Sequence, residues 1–219
     1  MHDLYNFVSG PLVWVTFIIF IGGCGYRLWR MLTLVSEKEK FIHSYMSFKY
    51  SLRSILRWSI PFSTVNMQRH PWMTIVTFAF HICLVVTPIF LMAHVLMWEE
   101  AWSFAWWTLP DAVADVMTLI VIGGCLFFLL RRLILPEVKF VTSASDFVLL
   151  AIVAAPFVTG FMAYHQWGNY PVMMILHILC GQVMLVAIPF TRLSHMLFAP
   201  FTRAYIGSEF GAIRHARDW

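Results

Sequence analysis

Five runs of predominantly apolar residues limit what this chain can become more than any other feature, because each has the length of about 20 residues that crosses a hydrocarbon layer as a helix. They lie approximately at Val8–Leu28, Trp72–Trp98, Ala112–Leu130, Phe147–Ala163 and Val172–Thr191. The expected fold is all-α: a polytopic membrane bundle of five transmembrane helices, in one domain covering residues 1–219. Charge content agrees, since 12% of the residues are Asp, Glu, Lys or Arg, about half the share in a soluble domain. A soluble enzyme, a disordered regulator and a nucleic-acid binder are all excluded on these grounds. The first run is not read as a cleavable signal peptide: Met1–Gly10 holds no Lys or Arg, and Arg27 and Arg30 follow the run where a small-residue cleavage site would stand.

Charge placement predicts an orientation. Arg27, Arg30, Lys38, Lys40, Lys49, Arg53, Arg57 and Arg69 lie between the first and second runs. Arg131, Arg132 and Lys139 lie between the third and fourth, and Arg192, Arg203, Arg214 and Arg217 at the last helix end and tail. Together these are all 15 Lys and Arg residues, while Glu99, Glu100, Asp111 and Asp115 sit in a connection on the other side. The positive-inside rule then predicts the N-terminus outside and the C-terminus in the cytoplasm of a bacterial inner membrane. The net charge of +4 is a topology signal and gives no support to nucleic-acid binding.

The longest polar excursion, about residues 36–67, holds Phe48, Leu52, Ile55 and Leu56 at helical spacing with Lys49, Arg53 and Arg57 between them. It reads as a basic amphipathic helix on the inner surface, serving either as an anchor to anionic lipid or as a docking face for a cytoplasmic subunit. Cys24, Cys83, Cys125 and Cys180 fall one per helix without a CxxC or CxxCH motif. They are expected to be packing residues, with neither a c-type haem nor an iron–sulfur cluster attached to them.

Ionisable residues at membrane depth are costly and usually functional. Of nine histidines, His2, His43 and His215 lie outside the apolar runs and His70 and His165 at their edges, which leaves His81 and His94 on the second helix and His177 and His195 on the fifth. These two helices run in opposite directions, so each membrane level receives one histidine from each helix. Two pairs at two depths suit two bis-histidine b-type haems, whose irons would be held by His94 with His177 and by His81 with His195. The bland alternative is a set of histidines each bonded to a neighbouring carbonyl. His177 and His195 are 18 residues apart, which is five turns and one face of a continuous helix. His81 and His94 are 13 apart, about 140° from one another in an ideal helix. Pro88 between them is expected to kink or bulge the helix. His70 is an alternative to His81, although it sits beside Pro71 in a loop or at a helix start.

These residues carry a resemblance. LHILCGQVMLVAIPFTRLSHMLFAP from Leu176 resembles the last helix of the respiratory nitrate reductase gamma subunit, a membrane cytochrome b. RRLILPEVKFVTSASDFVLL from Arg131 and FHICLVVTPIFLMAH from Phe80 resemble its third-to-fourth junction and its second helix. The resemblance covers most of Trp72–Pro200. It implies two b haems, with His94 and His177 on the outer iron and His81 and His195 on the inner one. Departures include LPDAVADVMTL before and into the third helix, where the family's nitrate reductases carry a basic residue near the quinol site, and Ile175 where they carry an arginine. The RSILRW…NMQRHPW…FHICLVVTPIFLMAHVLMW run is more similar to the gamma-type cytochromes of sulfate-reducer transmembrane complexes, namely the high-molecular-weight cytochrome c, type-II tetrahaem cytochrome and sulfite-reductase-associated complexes.

The resemblance further implies electron transfer between the quinone pool, with menaquinone as exchangeable substrate, and partner subunits. Those partners would be a cytoplasmic iron–sulfur subunit and further membrane and periplasmic multihaem or iron–sulfur subunits. It places the quinone near the outer haem, where Asp111 and Asp115 are candidates for proton exchange and Trp102, Trp106 and Trp107 for packing. The alternative there is a solvated carboxylate pair within an interfacial aromatic belt. Arg192, close to His195, and Arg131 or Arg132 are candidates to pair with haem propionates, or else are snorkelling anchors. Two other functions are weighed: a structural anchor for redox partners without its own quinone chemistry, and a transporter, which the lack of deep Asp, Glu, Lys or Arg disfavours. No complete active site for a terminal substrate is present.

Overall fold

With no water in the hydrocarbon region, backbone N–H and C=O groups must be satisfied within the segment that carries them, and a helix does this residue by residue. The computed structural model describes all 219 residues and is entirely helical. In chain order the helices are α1 (His2–Ser9), α2 (Pro11–Lys38), α3 (Phe41–Tyr45), α4 (Phe48–Ser59), α5 (Val65–Arg69), α6 (Pro71–Phe90), α7 (Met92–Trp102), α8 (Asp111–Ile134), α9 (Pro136–Phe140), α10 (Ala144–Tyr164) and α11 (Tyr170–Phe190). A 3-10 turn at Arg192–Ser194, α12 (His195–Ser208) and a π turn at Glu209–Ile213 complete the chain. Five segments are long and apolar enough to span a membrane: His2–Lys38, Pro71–Phe90, Asp111–Ile134, Ala144–Tyr164 and Tyr170–Phe190. The all-α polytopic character is therefore as the apolar runs predict.

Helix boundaries follow local chemistry. Proline opens α2 at Pro11 and α9 at Pro136, where its missing N–H costs nothing. Ser143 and Asp146 form a reciprocal capping box at the start of α10. Arg131 and Arg132 occupy the last turn of α8, where the helix dipole favours cations. Outward-facing positions carry large apolar side chains, including Ile18, Ile82, Leu119 and Val183, as lipid contact requires.

Two spans differ from a simple continuation of the apolar runs, and both differences start at proline. The second run is not one helix through Trp98: α6 stops at Phe90, Leu91 is extended (φ −68°, ψ 130°), and α7 restarts at Met92. The fifth stops at Phe190, one residue after Pro189, and Thr191 is extended (φ −128°, ψ −174°). The Thr191 hydroxyl donates to the Ala187 carbonyl at 2.6 Å and accepts from Leu193 N–H at 3.2 Å. His195 consequently opens α12 instead of continuing α11, so the single-face reading of His177 and His195 does not hold for this backbone.

The residues cluster into two units. One comprises Met1–Ser9 and Ile75–Met184; among its buried residues are Val8, Phe80, Cys83, Val121, Cys125, Val153 and Phe157. Here Gln182 donates to the Val8 carbonyl at 2.7 Å, and Arg132 sits 3.5 Å from Asp146. The other comprises Gly10–Thr74 and Leu185–Trp219.

Within that second unit α4 packs against α12 through a stripe of small polar residues. Ser51 Oγ lies 2.9 Å from Ser208 Oγ and donates to the Ala204 carbonyl at 3.1 Å. A Cβ on Gly207 would come within 2.3 Å of Ser54 Cβ, so the two helices approach this closely only because residue 207 has no side chain. The amphipathic pattern of α4 thus points its apolar stripe outward: Phe48 is 84% exposed, with Leu52 and Leu56 on the same side. Its cations are partly engaged with aromatic rings. Arg53 stacks over Tyr50 and over Trp219, each at 4.6 Å, and Arg57 lies 5.4 Å from the Trp219 ring centre.

Candidate functional site

The break at Leu91 sets up the first histidine. Without N–H groups arriving from the next turn, the carbonyls of Pro88, Ile89 and Phe90 need other donors, and each has one. His94 Nδ1 bonds the Pro88 carbonyl at 2.7 Å, Trp106 Nε1 donates to Ile89 at 2.9 Å, and the Leu109 N–H donates to Phe90 at 2.9 Å. The α7–α8 connection therefore folds back to seal the break and fixes the His94 ring as part of the seal. Around it, Trp98 packs on Trp102 and Trp106, and Trp107 stacks on Phe90 at 4.2 Å. Of the tryptophans considered as quinone packing, Trp102 and Trp106 are engaged with Trp98, and Trp107 with Phe90.

His177 is fixed from α10. Its Nδ1 bonds the Pro156 carbonyl at 2.8 Å. One turn further along α10, a Cβ on Gly160 would sit 2.8 Å from both His177 Cε1 and His177 Nδ1. Any larger residue at 160 would collide with the ring, so Pro156 and Gly160 together form the seat of His177.

The outcome is that His94 and His177 face each other as near-parallel rings, 13° apart in plane and 5.9 Å between centres. Two imidazoles on one metal would have centres roughly 6 Å apart, taking about 2.0 Å for each metal–nitrogen bond plus about 1 Å from nitrogen to ring centre. In both rings the carbonyl bond commits Nδ1–H, leaving Nε2 with the lone pair, the arrangement metal-ligating histidines adopt. A separation of this size would let His94 and His177 hold one metal between them, as a haem would require.

His81 and His195 belong to different units. His81 Nδ1 bonds the Thr77 carbonyl at 2.7 Å, and its ring meets Phe80 edge-on at 5.2 Å. His195 Nδ1 bonds the Arg192 carbonyl at 2.9 Å, so Arg192 is placed beside it through its backbone. His70 caps α5 and lies outside α6. All four histidines singled out by the sequence thus share one tautomer-fixing bond to a backbone carbonyl, which His2, His43, His70, His165 and His215 do not make.

Asp111 and Asp115, the two carboxylates considered for proton exchange, open α8 one turn apart. Asp115 is not simply solvated: its Oδ2 lies 3.1 Å from His165 Nε2. Sequence reasoning left His165 at the edge of a span; only the approach of α8 to the end of α10 gives it a carboxylate. Arg132 is bound within the protein, to Asp146 and to the Thr142 hydroxyl at 3.3 Å. No three or more His, Cys, Asp or Glu side chains converge as a metal centre, and all four cysteines are free thiols.

A protein of the sulfate-reducing bacterium Nitratidesulfovibrio vulgaris (strain Hildenborough) is 35% identical over 219 residues, an alignment covering 96% of this chain and 95% of the relative. The chain belongs to that protein's family. It is a multi-pass helical protein of the bacterial inner membrane. No family model matches it.

Proposed function

We propose that this chain is a dihaem b-type cytochrome subunit that carries electrons between the quinone pool and partner redox subunits of a membrane complex. The observation that carries this reading is the His94–His177 pair, with both rings locked through Nδ1 at a separation suited to one metal. His81 and His195 have the same locked tautomer, each within its own unit, and their placement along the sequence is what makes them the candidates for a second haem. Haem supplies one-electron transfer, and two haems at different depths carry electrons across lipid. The chain's own residues orient the ligands: Pro88 and Leu91 present His94, Pro156 and Gly160 seat His177, and the Arg192 carbonyl steers His195. The reading takes the N-terminus as outside, following the placement of all 15 basic residues on one side of the membrane. It also takes the complex to be of the gamma-type cytochrome class, with an iron–sulfur subunit on the cytoplasmic side and menaquinone as the exchanged quinone.

A reduced-minus-oxidised optical spectrum of the purified protein, with haem quantified as its pyridine adduct, tests this directly. The expected result is b-type bands with about two haems per chain. A spectrum without such bands rejects the cytochrome assignment.

A second reading, a structural anchor for redox partners, is favoured by the lack of any cluster of three or more metal-ligating side chains. A haem iron needs only two axial ligands, which is why the paired-histidine reading is preferred. Protein that carries no haem yet holds its partner subunits in the membrane would establish the anchor instead.

A further inference from the structure

Between Glu39 and Glu99 the chain carries no Asp or Glu, yet Lys40, Lys49, Arg53, Arg57 and Arg69 all fall there. Three of these cations lie on α4, where each four-residue step advances about 40° around the helix. Phe48, Leu52 and Leu56 form one such row and are 84%, 42% and 52% exposed. Lys49, Arg53 and Arg57 form the next row, with Lys49 and Arg57 exposed. The side turned to α12 carries the buried Ser51 and Ser54 together with Trp58, over which Arg203 of α12 stacks at 4.3 Å. The small polar side of α4 is thus packed inside, and its apolar side faces out beside an unbalanced row of cations. That is the reverse of a helix on a soluble protein and the pattern of one lying at the boundary of head groups and acyl chains.

The segment after α12 closes over the same cations. At Gly211 a Cβ would collide with the Tyr50 ring and come 2.7 Å from Arg53 Nη2, so the approach leaves no room for a side chain there. His215, with φ 51°, turns the chain back, and Ala216 N–H donates to the Phe210 carbonyl at 2.8 Å. Asp218 Oδ2 then accepts from Ser54 Oγ, and the Trp219 ring lies 4.6 Å from Arg53 and 5.4 Å from Arg57. Glu209, the other acid of this segment, is paired with Arg214. The closure leaves polar atoms unmet: Arg53 Nε and Nη2 and Asp218 Oδ1 are buried without a hydrogen-bond partner. Between Tyr50 and Trp219 the Arg53 guanidinium meets two ring faces in place of an acceptor. Buried donors left this way are costly, and phosphate oxygens are the acceptors that a guanidinium fork matches.

We propose that α4 is a binding site for anionic phospholipid, with Phe48, Leu52 and Leu56 among the acyl chains, Lys49, Arg53 and Arg57 on the head-group phosphates, and residues 218–219 as a cover that the lipid displaces. Lipid is the occupant that matches both rows at once. It carries its negative charge directly beside its hydrocarbon, and the two rows run side by side along the helix. The spans on either side, ending at Lys38 and beginning at Pro71, tether α4 to a bilayer surface. A phosphodiester supplies the acceptors that Arg53 lacks, and lifting Asp218 returns its carboxylate to water. Zwitterionic lipid carries no net charge and does not compete with Asp218 for the cations. The site uses none of the four histidines proposed as haem ligands.

Native mass spectrometry of the purified full-length protein, titrated with phosphatidylglycerol or with phosphatidylcholine of the same chains, tests this. Phosphatidylglycerol is expected to bind the more tightly, by about fivefold for each cation engaged. Arg57→Gln, at an exposed position, should weaken phosphatidylglycerol binding about fivefold and leave phosphatidylcholine unchanged. Asp218→Asn removes the competing charge and should strengthen phosphatidylglycerol binding. Equal affinity for the two lipids, or a preference that survives Lys49→Gln, Arg53→Gln and Arg57→Gln together, overturns the proposal. Unchanged affinity in Asp218→Asn overturns the part given to the cover. A second measurement uses the unaltered protein in nanodiscs. Trypsin cleavage after Lys49 and Arg57 should slow when phosphatidylglycerol is added to phosphatidylcholine, and equal cleavage in the two bilayers overturns the proposal. Cleavage that slows only when a co-purifying subunit is bound, whatever the lipid, assigns the face to a protein partner and likewise overturns it.

Discussion

At the scale of single residues, the histidines proposed as ligands are held by backbone carbonyls made available by local sequence. Replacing His94 or His177 by Ala is expected to lower haem content from about two to about one per chain, measured as the pyridine adduct, because one axial imidazole does not retain a bis-histidine haem. The same assay on His81→Ala with His70 intact separates those two positions; retention of both haems would assign the ligand to His70. Gly160→Ala tests the seat of His177 without touching a ligand. A methyl 2.8 Å from the ring must push the imidazole away, and the expected outcome is loss or spectral change of one haem while the other is unaffected. None of this is visible in Gly160 as a letter in an apolar run; only the neighbouring helix gives that glycine its meaning.

At the scale of elements, the second span is interrupted between the two histidines that it carries. Thirteen residues separate His81 from His94, and Pro88 lies between them. Proline predicts a disturbance, but it does not say that the helix stops at Phe90 or that Trp106 and Leu109 will satisfy the carbonyls so exposed. Trp106→Phe keeps the ring and deletes the donor to Ile89. Loss of one hydrogen bond costs about 0.5–1.5 kcal/mol, so the melting temperature in detergent should fall, with the spectral changes confined to the haem assigned to His94. The α4–α12 contact offers a second element-scale test. Gly207→Leu would drive a side chain into Ser54 and should release α4, detected as new protease cleavage between residues 39 and 64 with haem content unchanged.

At the scale of the whole molecule, the chain's charge asymmetry predicts its orientation. A green fluorescent protein fused after Trp219 should fluoresce, whereas alkaline phosphatase fused at the same point should stay inactive; the reverse pattern would invert the topology. The number of spans was legible from composition alone, because about 20 apolar residues without charge have few stable alternatives to a spanning helix. Their ends were less legible. The α2 helix runs on to Lys38, well past the apolar run that stops at Leu28, since nothing in that segment breaks a helix once it emerges from lipid. The fifth run, read as ending at Thr191, does end there: α11 stops at Phe190, and what the sequence does not show is that His195 then opens a new helix.

The sequence by itself determined the all-helical membrane-spanning class, the four histidines and the uneven distribution of charge. These depend on residue type and on distance along one chain, which lipid and helix geometry convert directly into structure. Only the tertiary structure decided that His94 and His177 meet as parallel rings, that Pro156 and Gly160 make the seat, and that Asp115 finds His165. Those pairings join residues up to 83 positions apart in sequence, and they depend on how closely helix surfaces approach. Close approach is fixed by small residues, broken helices and carbonyls in need of donors, whose partners lie on other elements and leave no periodic trace in the sequence.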